Sequence, residues 1–473
     1  MKIVFINPAT SHEQIYGDWD LSAVDTYCPP LGLLYLASYV RRLGHAPLIF
    51  DHERMTTTTA QLVGKILGEQ PGLIAITAKT INIFSAARIA RELKESGAKA
   101  PIVIGGSHLT AEPLRTMELF TDFDYGVYGE GELTLAELLD RISETEALGD
   151  ILGLVWRDTD RKPVVNRPRP LIADLDELPF PAWDLLPGFP GKYPHSALES
   201  KSTPAASLMA SRGCPYQCTF CDRALFGSRV REHGAEYTLE MMRILKRTYG
   251  IRDLMIIDDN FALNKPRLEQ ICHAMLSEAL GFSWYCQGHV RFATEDRLRM
   301  MRDAGCWFIE LGLESGCDRI LQLIKKGATK EQGARAVHLA RQAGLKVKGN
   351  FIFGLPGETA ESLRETIEFA LEIPLTHFQQ NFLTIWPGCE LSRVAKDYGS
   401  CEMDWSRMAH QRVTFVPHGL TEEDLVRASK TAFRRFYLRP RIVMEFARSV
   451  SSIRTFGTLC AGFATFCKSM WRS

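Results

Sequence analysis

Three cysteines stand close together near the middle of the sequence, at Cys214, Cys218 and Cys221, in a C-x3-C-x2-C array. Thiolates on one short loop suit an iron–sulfur cluster better than structural zinc, because zinc favours four ligands in paired short spacings and no second pair follows. A [4Fe-4S] cluster held by three cysteines keeps one iron open for a substrate. The alternatives are a zinc knuckle or a loop of unrelated free cysteines.

The surroundings of the array resemble the radical S-adenosylmethionine (SAM) superfamily, since an apolar stretch precedes it and Phe220 comes before its last cysteine. The resemblance implies that Cys214, Cys218 and Cys221 hold a [4Fe-4S] cluster whose open iron chelates SAM. Electron transfer from a reductant such as flavodoxin or ferredoxin then cleaves SAM to a 5′-deoxyadenosyl radical. Such a cluster implies an anaerobic setting.

From residue 204 to about 393, predicted strands and helices alternate, and these elements must position the cysteine loop. Strands are predicted at 206–210, 253–258, 282–288, 307–314, 347–353 and 377–386, and helices with apolar stripes lie between them. Six such units predict an incomplete (β/α)6 barrel. The chemistry of a parallel barrel lies at the C-terminal ends of its strands.

Those strand ends resemble SAM-binding motifs of the family: a D-D-x-F turn, an arginine, a G-x-E-S motif and a G-x-I-x-G-x-x-G-E stretch. The resemblance assigns SAM binding to Phe220, Asp259, Arg291, Glu314, Ser315, Gly354 and Glu358. Arginine suits a SAM carboxylate because it binds carboxylates bidentately, and a surface salt bridge is the alternative for Arg291. At the last strand end, Cys389 departs from the family pattern and is predicted to be a buried free thiol.

Residues 1–150 also alternate strands and helices, and the strands are almost continuously apolar. This pattern predicts an α/β domain with a doubly wound, Rossmann-like parallel sheet, whose ligand lies at the carboxyl ends of the strands. Paired glycines in the loops there let a backbone approach a bulky ligand. No G-x-G-x-x-G follows the first strand, which argues against a dinucleotide.

Three of these loops, with P-P-L-G, G-G-x-H-x-T and G-E-G-E turns, resemble the cobalamin-binding domain of one branch of radical SAM enzymes. That branch includes the anaerobic magnesium-protoporphyrin cyclase and many methyltransferases. The resemblance assigns cobalamin contacts to Pro30, Gly32, Thr77, Gly105, Gly106, His108, Thr110, Gly129 and Glu130. The D-x-H-x-x-G signature is absent, so a turn histidine bonded to backbone is the alternative to metal ligation by His108. Plain tight turns, or a domain that has lost its cofactor, are further alternatives.

The remaining segments connect and extend these units. Residues 151–203 are rich in proline and predict an extended linker, with a short hairpin strand at 152–156. Residues 394–473 predict a helical C-terminal tail. Its last part, 442–471, mixes basic and apolar residues, which suits contact with a membrane surface, a lid over a lipophilic substrate, or an ordinary helix packed on the barrel.

Composition narrows the class of protein. The 473 residues include 56 basic and 56 acidic ones, so no global field favours nucleic acid as a partner. No apolar run approaches the roughly 18 residues of a membrane span. The 12 cysteines show no disulfide-like lattice, which favours a reducing compartment. We expect a cytoplasmic protein, membrane-associated only through the tail.

The sequence thus predicts a cobalamin-dependent radical SAM enzyme that modifies an unactivated carbon of a small or lipophilic biosynthetic intermediate by methyl transfer. One alternative is a non-methylating oxidoreductase or cyclase that resembles the anaerobic porphyrin enzyme. Another is a non-catalytic cobalamin or iron–sulfur sensor, although a sensor needs no adenine-binding motif. The fold does not name the substrate.

Overall fold

The computed structural model describes residues 1–10, 27–142, 145–196 and 199–449, together with residues 457, 459, 460 and 462. The first of its two large sheets contains β1 (Lys2–Asn7), β2 (Ala46–Asp51), β3 (Leu73–Thr77), β4 (Ile102–Gly105), β5 (Tyr125–Val127), β6 (Leu154–Arg157) and β7 (Pro163–Val165). The helices around it are α1 (Leu31–Arg42), α2 (Thr59–Gly68), α3 (Ile83–Glu95), α4 (Ser107–Ala111), α5 (Pro113–Leu119) and α6 (Gly131–Arg141).

This first sheet confirms the doubly wound fold. Its order is β2-β1-β3-β4-β5-β6-β7, and β1 to β5 are parallel. The parallel strands are apolar throughout because helices cover both faces, and Ile3 to Ile6 are fully buried. The hairpin strand predicted at 152–156 is β6, which with β7 adds an antiparallel edge to this sheet.

The second sheet contains β8 (Ala205–Leu208), β11 (Asp253–Ile256), β12 (Ser283–His289), β13 (Cys306–Glu314), β14 (Lys346–Phe353) and β15 (His377–Phe382). A small hairpin pairs β9 (Ser211–Arg212) with β10 (Arg231–Glu232). The helices are α7 (Ala235–Tyr249), α8 (Lys265–Ser277), α9 (Glu295–Asp303), α10 (Asp318–Leu323), α11 (Lys330–Gln342) and α12 (Ala360–Glu372).

All six large strands run parallel in the order β15-β14-β13-β12-β11-β8, and the described part of β15 does not pair with β8. The predicted partial (β/α)6 barrel is therefore confirmed. Its last strand ends at Phe382, four residues earlier than predicted, because the Phe382 N–H donates to His410 O and the chain then turns aside. Threonine capping boxes at Thr329 and Thr359 start α11 and α12.

The C-terminal extension contains the hairpin β16 (Gly399–Cys401) and β17 (Phe415–Pro417), then α13 (Glu422–Tyr437) and α14 (Pro440–Ser449). The described part of the predicted basic and apolar tail packs on the barrel, since Ile442 is fully buried and Arg441 donates to Leu375 O. Most of the tail beyond Ser449 lies outside the described residues. Within the described part of the chain, no helix has the length and apolarity needed to cross a membrane.

Candidate active site

The three cysteines lie on the loop that leaves β8 and β9 at the C-terminal mouth of the barrel. Cys218 is buried and Cys214 half-buried, while Cys221 lies at the rim. Desolvation by the surrounding loop, Asp259 and the two other thiols together raise the pKa of Cys221 to about 12. No three metal-binding side chains stand as a preformed group among the described residues.

The second strand end supports this loop from below. Asn260 Nδ2 donates to Cys214 Sγ at 3.0 Å, and Asn260 Oδ1 accepts from the His289 backbone at 2.6 Å. The His289 ring stacks on Tyr216, inside the cysteine array, with 3.6 Å between ring centroids. The buried Asp258 carboxylate accepts from Ala210 N and the Ser211 hydroxyl, both at 2.6 Å. Sequence reasoning selected Asp259 from this turn and missed Asn260.

The fourth strand end holds a buried ion pair. Glu314 Oε1 is 2.8 Å from Lys326 Nζ. Glu314 has φ of +63°, a left-handed conformation that costs a non-glycine residue about 1–3 kcal/mol. Gly312 leaves room for the pair, because a Cβ there would crowd both Glu314 and Lys326. Lys326 was not predicted, and its only sequence signal is a lysine shortly after a short helix.

Two residues predicted to bind SAM are turned into the fold. Ser315 is fully buried, and its hydroxyl bonds with Thr366 at 3.1 Å and accepts from Cys317 N. Glu358 is also fully buried, and its Oε2 accepts from Gly354 N at 2.5 Å and from Leu355 N at 3.2 Å. These side chains fasten the two turns, so the geometry gives them a positioning role.

The other predicted SAM residues face the mouth. Arg291 is exposed, and none of the ion pairs in the described part of the chain involves it, so its guanidinium is available for a carboxylate. Asp259 is exposed beside the cysteine loop. Phe220 and Glu314 line a cavity of about 320 Å³ that runs down into the barrel.

The cavity has both polar and apolar side chains in its lining, and Phe351, Ile352 and Leu383 are among the apolar ones. Lys348 Nζ is 3.1 Å from Glu310 and 2.8 Å from Glu199. Lys348 and Glu310 line the cavity, and the other side chains that line it include Asn350, Gln379, Asn381, Phe382, Trp386 and His410. Trp386 also packs against the core on the first sheet, and the residues that line the cavity come from the cysteine loop, the barrel strands and the C-terminal extension.

The predicted cobalamin turns lie at the carboxyl edge of the first sheet. Gly106 has φ of +101°, and a Cβ there would crowd Ala78 O and Thr77 Oγ1, so the turn itself requires glycine. The Thr110 hydroxyl donates to Gly106 O at 2.8 Å and accepts from Gly129 N at 3.2 Å. These contacts are what a tight turn needs.

The His108 side chain lies beside a hydroxyl in the described structure, and its predicted contact with cobalamin stays a prediction. It is fully buried, its Nδ1 is 3.1 Å from Thr80 Oγ1, and Nε2 has no hydrogen-bond partner among the described residues. Burial lowers the pKa of His108 to about 4. The Trp405 ring of the C-terminal extension covers it, with 4.3 Å between ring centroids. His108 is thus a neutral side chain bonded to a hydroxyl.

The Glu130 side chain has partners within the protein, and its predicted contact with cobalamin stays a prediction. Both oxygens are occupied: Oε1 accepts from Arg212 at 2.6 Å, and Oε2 accepts from Arg231 and Ile172 N at 2.7 Å. Glu132 accepts from the same Arg212 at 2.7 Å. The G-E-G-E turn therefore binds Arg212, which lies two positions before Cys214.

Comparisons with known proteins agree with both halves of this architecture. Residues 208–370 match the family model of the Radical SAM superfamily, and residues 20–139 match the B12 binding domain. An uncharacterized methyltransferase of Pyrococcus horikoshii is 35% identical over 448 residues, which cover 94% of each chain. The chain belongs to the radical SAM superfamily, in the branch with a B12-binding domain.

More distant relatives share the fold and much of the length. The anaerobic magnesium-protoporphyrin IX monomethyl ester cyclase of Rubrivivax gelatinosus is 25% identical, over 93% of this chain and 78% of the cyclase. The solved structure of the cobalamin-dependent SAM radical enzyme OxsB superposes with a TM-score of 0.75 at 17% identity, over 99% of this chain and 72% of that one.

The cofactors of this radical SAM branch are a [4Fe-4S] cluster, SAM and cobalamin, and the residues present fit them unequally. The cysteine loop offers three soft thiol donors, which suit iron. At the first sheet, no atom lies within 4 Å of the position that a Cβ would occupy on Gly32 or Gly129. A bulky ring system can therefore approach the backbone there. Thr110 and Glu130 are engaged within the protein.

We expect replacement of Arg212 by Met to weaken both the fold and the loop of this radical SAM protein. The change leaves Glu130 and Glu132 buried without their shared cation, which typically costs about 3–5 kcal/mol. Denaturant unfolding and iron content of the reconstituted protein measure the two effects. Arg435→Met, which breaks an exposed pair with Glu368, is the matched control and should cost at most about 1 kcal/mol. Equal losses of unfolding free energy and of iron in the two variants would contradict the role assigned to Arg212.

Glu358 predicts a pH dependence of stability. Burial raises the pKa of Glu358 from 4.5 to about 8. The folded state therefore binds this proton more tightly than the unfolded chain, so the contribution to stability is full below pH 4.5 and is lost as the pH rises to 8. Glu358→Gln cannot ionise, and we expect the unfolding free energy of wild type relative to this variant to fall across that range. Exposed Glu361→Gln should show no such trend, and a flat difference for Glu358→Gln would refute the prediction.

Proposed function

We propose that the protein transfers a methyl group to an unactivated carbon of a small, polar molecule. The observation that carries this proposal is the cavity, which reaches from Phe220 and Glu314 at the cysteine loop to Trp386 against the first sheet. When bound, the cluster and SAM supply a radical that removes a hydrogen atom, and methylcobalamin supplies the methyl group. A substrate in this cavity would lie beside the cysteine loop, and we infer that cobalamin bound at the first sheet would reach it from the side of Trp386.

The chain's own residues divide the work around the cavity. Cys214, Cys218 and Cys221 would hold the cluster, and Arg291 and Asp259 would take the charged end of SAM. Glu314 would accept from its ribose hydroxyls, while Ser315 and Glu358 hold the turns in place. The aromatic wall at Phe382 and Trp386 excludes water, which protects a radical from side reactions.

The barrel interior favours a polar substrate over the lipophilic one that the sequence left open. Glu310 and Glu314 lie four residues apart on β13, about 13 Å along the strand. Glu310 therefore lies too deep in the barrel to contact the SAM ribose that Glu314 would bind. Glu310, Lys348 and Asn350 instead face the substrate end of the cavity. A volume of about 320 Å³ lies at the low end for ligand pockets, and part of it must hold SAM. These features disfavour a tetrapyrrole such as that named for the cyclase relative.

Other aspects follow from the class of enzyme. We infer a low-potential electron donor of the flavodoxin or ferredoxin type, because the chemistry requires one electron for each cleavage of SAM. A contact of the tail with a membrane surface stays a prediction, since it depends mainly on residues beyond Ser449.

The cluster assignment predicts the outcome of a cysteine replacement. Wild-type protein, reconstituted anaerobically with iron and sulfide and given SAM and dithionite, should form 5′-deoxyadenosine. Cys218→Ala should form less than about one hundredth as much, because two thiolates hold the cluster poorly. Cys272→Ala, a buried thiol on α8, is the control and should retain activity. No product from wild type would refute the enzymatic proposal, and product from Cys218→Ala would refute the cluster assignment.

Methyl transfer and cyclisation differ in what SAM becomes. With cobalamin present, we expect S-adenosylhomocysteine to accumulate alongside 5′-deoxyadenosine, because a second SAM must replace each methyl group that is used. Chromatography of the two nucleosides gives their ratio. Formation of 5′-deoxyadenosine alone would favour the cyclase or oxidoreductase alternative.

A further inference from the structure

The outer side of the cysteine loop is open to solvent. Cys221 and Asp222 are both exposed, whereas Cys218 is buried. A cluster held by this loop would come nearest to the outside of the protein at Cys221. Transfer of an electron between two proteins slows steeply as the distance grows, so the side of the loop at Cys221 offers an electron donor the shortest route.

Two other segments contact the cysteine array directly. Thr219, in the middle of the array, donates its N–H to Ile324 O and accepts from Leu391 N, both at 3.0 Å. Ile324 directly follows α10, and Leu391 lies in a short 3₁₀ turn, Glu390–Arg393. The end of α10 and this turn therefore border the loop, and the side chains that they expose surround it.

Four basic side chains on the loop and its two neighbours form a basic rim, which consists of Arg223, Arg229, Lys325 and Arg393. Lys325 Nζ is 2.6 Å from Glu390 Oε1, and a guanidinium nitrogen of Arg223 is 3.6 Å from Glu390 Oε2. One carboxylate thus serves two cations. Arg229 and Arg393 are exposed, and neither forms an ion pair with another described residue.

Arg229 lies in the same part of the surface as the other members of the rim. The Arg223 guanidinium donates to Ser228 Oγ at 3.3 Å, which brings the far end of the loop back to its start. A Cβ on Gly213 would collide with Arg229 O, so this backbone passes directly beside the residue before Cys214.

The charge of this surface is positive, although the whole chain has none, with 56 basic and 56 acidic residues. Within the loop and the turn, Asp222 and Glu390 are the acidic side chains, so the four cations of the rim leave a net charge of +2. The next exposed charges along the chain, Lys396 and Asp397, cancel. A positive surface attracts and orients a negatively charged partner.

We propose that the basic rim is the docking surface for an acidic electron-carrier protein, which delivers its electron on the Cys221 side of the loop. The carrier loses one electron, the cluster gains it, and no bond forms or breaks. Complexes of this kind have small, transient interfaces, so charge complementarity governs them more than buried area. Val394, exposed after the last member of the rim, adds an apolar contact.

This inference rests on the proposed function, because it requires a cluster at the cysteine loop. The first test is binding, measured by calorimetric titration of an acidic flavodoxin into the reconstituted protein. Arg229→Glu combined with Arg393→Glu should raise the Kd at least about tenfold at low ionic strength. The difference should shrink at high ionic strength, because salt screens exposed charges.

The matched control changes the net charge by the same amount elsewhere. Lys65→Glu combined with Arg88→Glu replaces exposed cations on α2 and α3, which cover the first sheet. We expect this variant to bind flavodoxin with the affinity of wild type. Both double variants replace side chains that form no ion pair with described residues, so we expect both to retain wild-type iron content.

The second test is anaerobic reduction of the cluster, followed by its absorbance. Fully reduced flavodoxin should reduce the Arg229→Glu, Arg393→Glu variant at least about tenfold more slowly than wild type at low ionic strength. Photoreduction by a 5-deazaflavin, a small uncharged reductant that needs no docking surface, should proceed at the same rate in both.

Each contrary outcome has its own meaning. Equal flavodoxin affinity for wild type and the Arg229→Glu, Arg393→Glu variant overturns the docking surface, as does an equal loss in the control or the absence of binding by wild type. Slower reduction by both reductants overturns it in favour of a disturbed loop. A wild-type protein that binds flavodoxin but has no cluster that the 5-deazaflavin can reduce refutes the cluster assignment of the proposed function instead.

Discussion

The buried ion pairs of Arg212 with Glu130 and Glu132 fix where the cysteine loop lies. Removing these groups from water carries a large desolvation cost, which only close pairing offsets. All three side chains are at most 5% exposed, with contacts of 2.6 and 2.7 Å. The carboxylates come from the edge of the first sheet, and the arginine lies two residues before Cys214. Any shift of the loop relative to that sheet would leave a buried charge unpaired, so the gap between them has a set width.

The fold could be predicted from the sequence because its signals are local. Apolar strands, amphipathic helices and capping threonines are each determined by a few neighbouring residues. The partial barrel and the doubly wound sheet followed from the alternation of the strands and helices. The strand ends that carry chemistry were found for the same reason. A motif gives residue types at a turn, however, and does not say which side chain faces a ligand. Ser315 and Glu358 fasten their turns, whereas Glu314, the neighbour of Ser315, lines the cavity.

The missed features depend on partners far away in sequence. Glu130 meets an arginine 82 residues later, and His108 meets Trp405 from the other end of the chain. Neither partner has a pattern that would indicate the pairing. Lys326 was missed because its importance arises from burial beneath the cysteine loop, and a lysine after a short helix is ordinarily a solvated side chain.

The C-terminal extension helps to give the cavity an aromatic wall opposite the polar side chains of the barrel. After β15 the chain leaves the barrel, contributes Trp386 and His410 to the cavity wall, and places Trp405 on the first sheet over His108. The wall toward the first sheet is consequently aromatic, while the barrel side presents Glu310, Lys348 and Asn350. A substrate that satisfies both must place its polar groups down in the barrel, because an unpaired charge against the aromatic wall would be costly. In the proposed reaction, the apolar, unactivated carbon of such a substrate would face the mouth of the barrel, beside the cysteine loop and the aromatic wall.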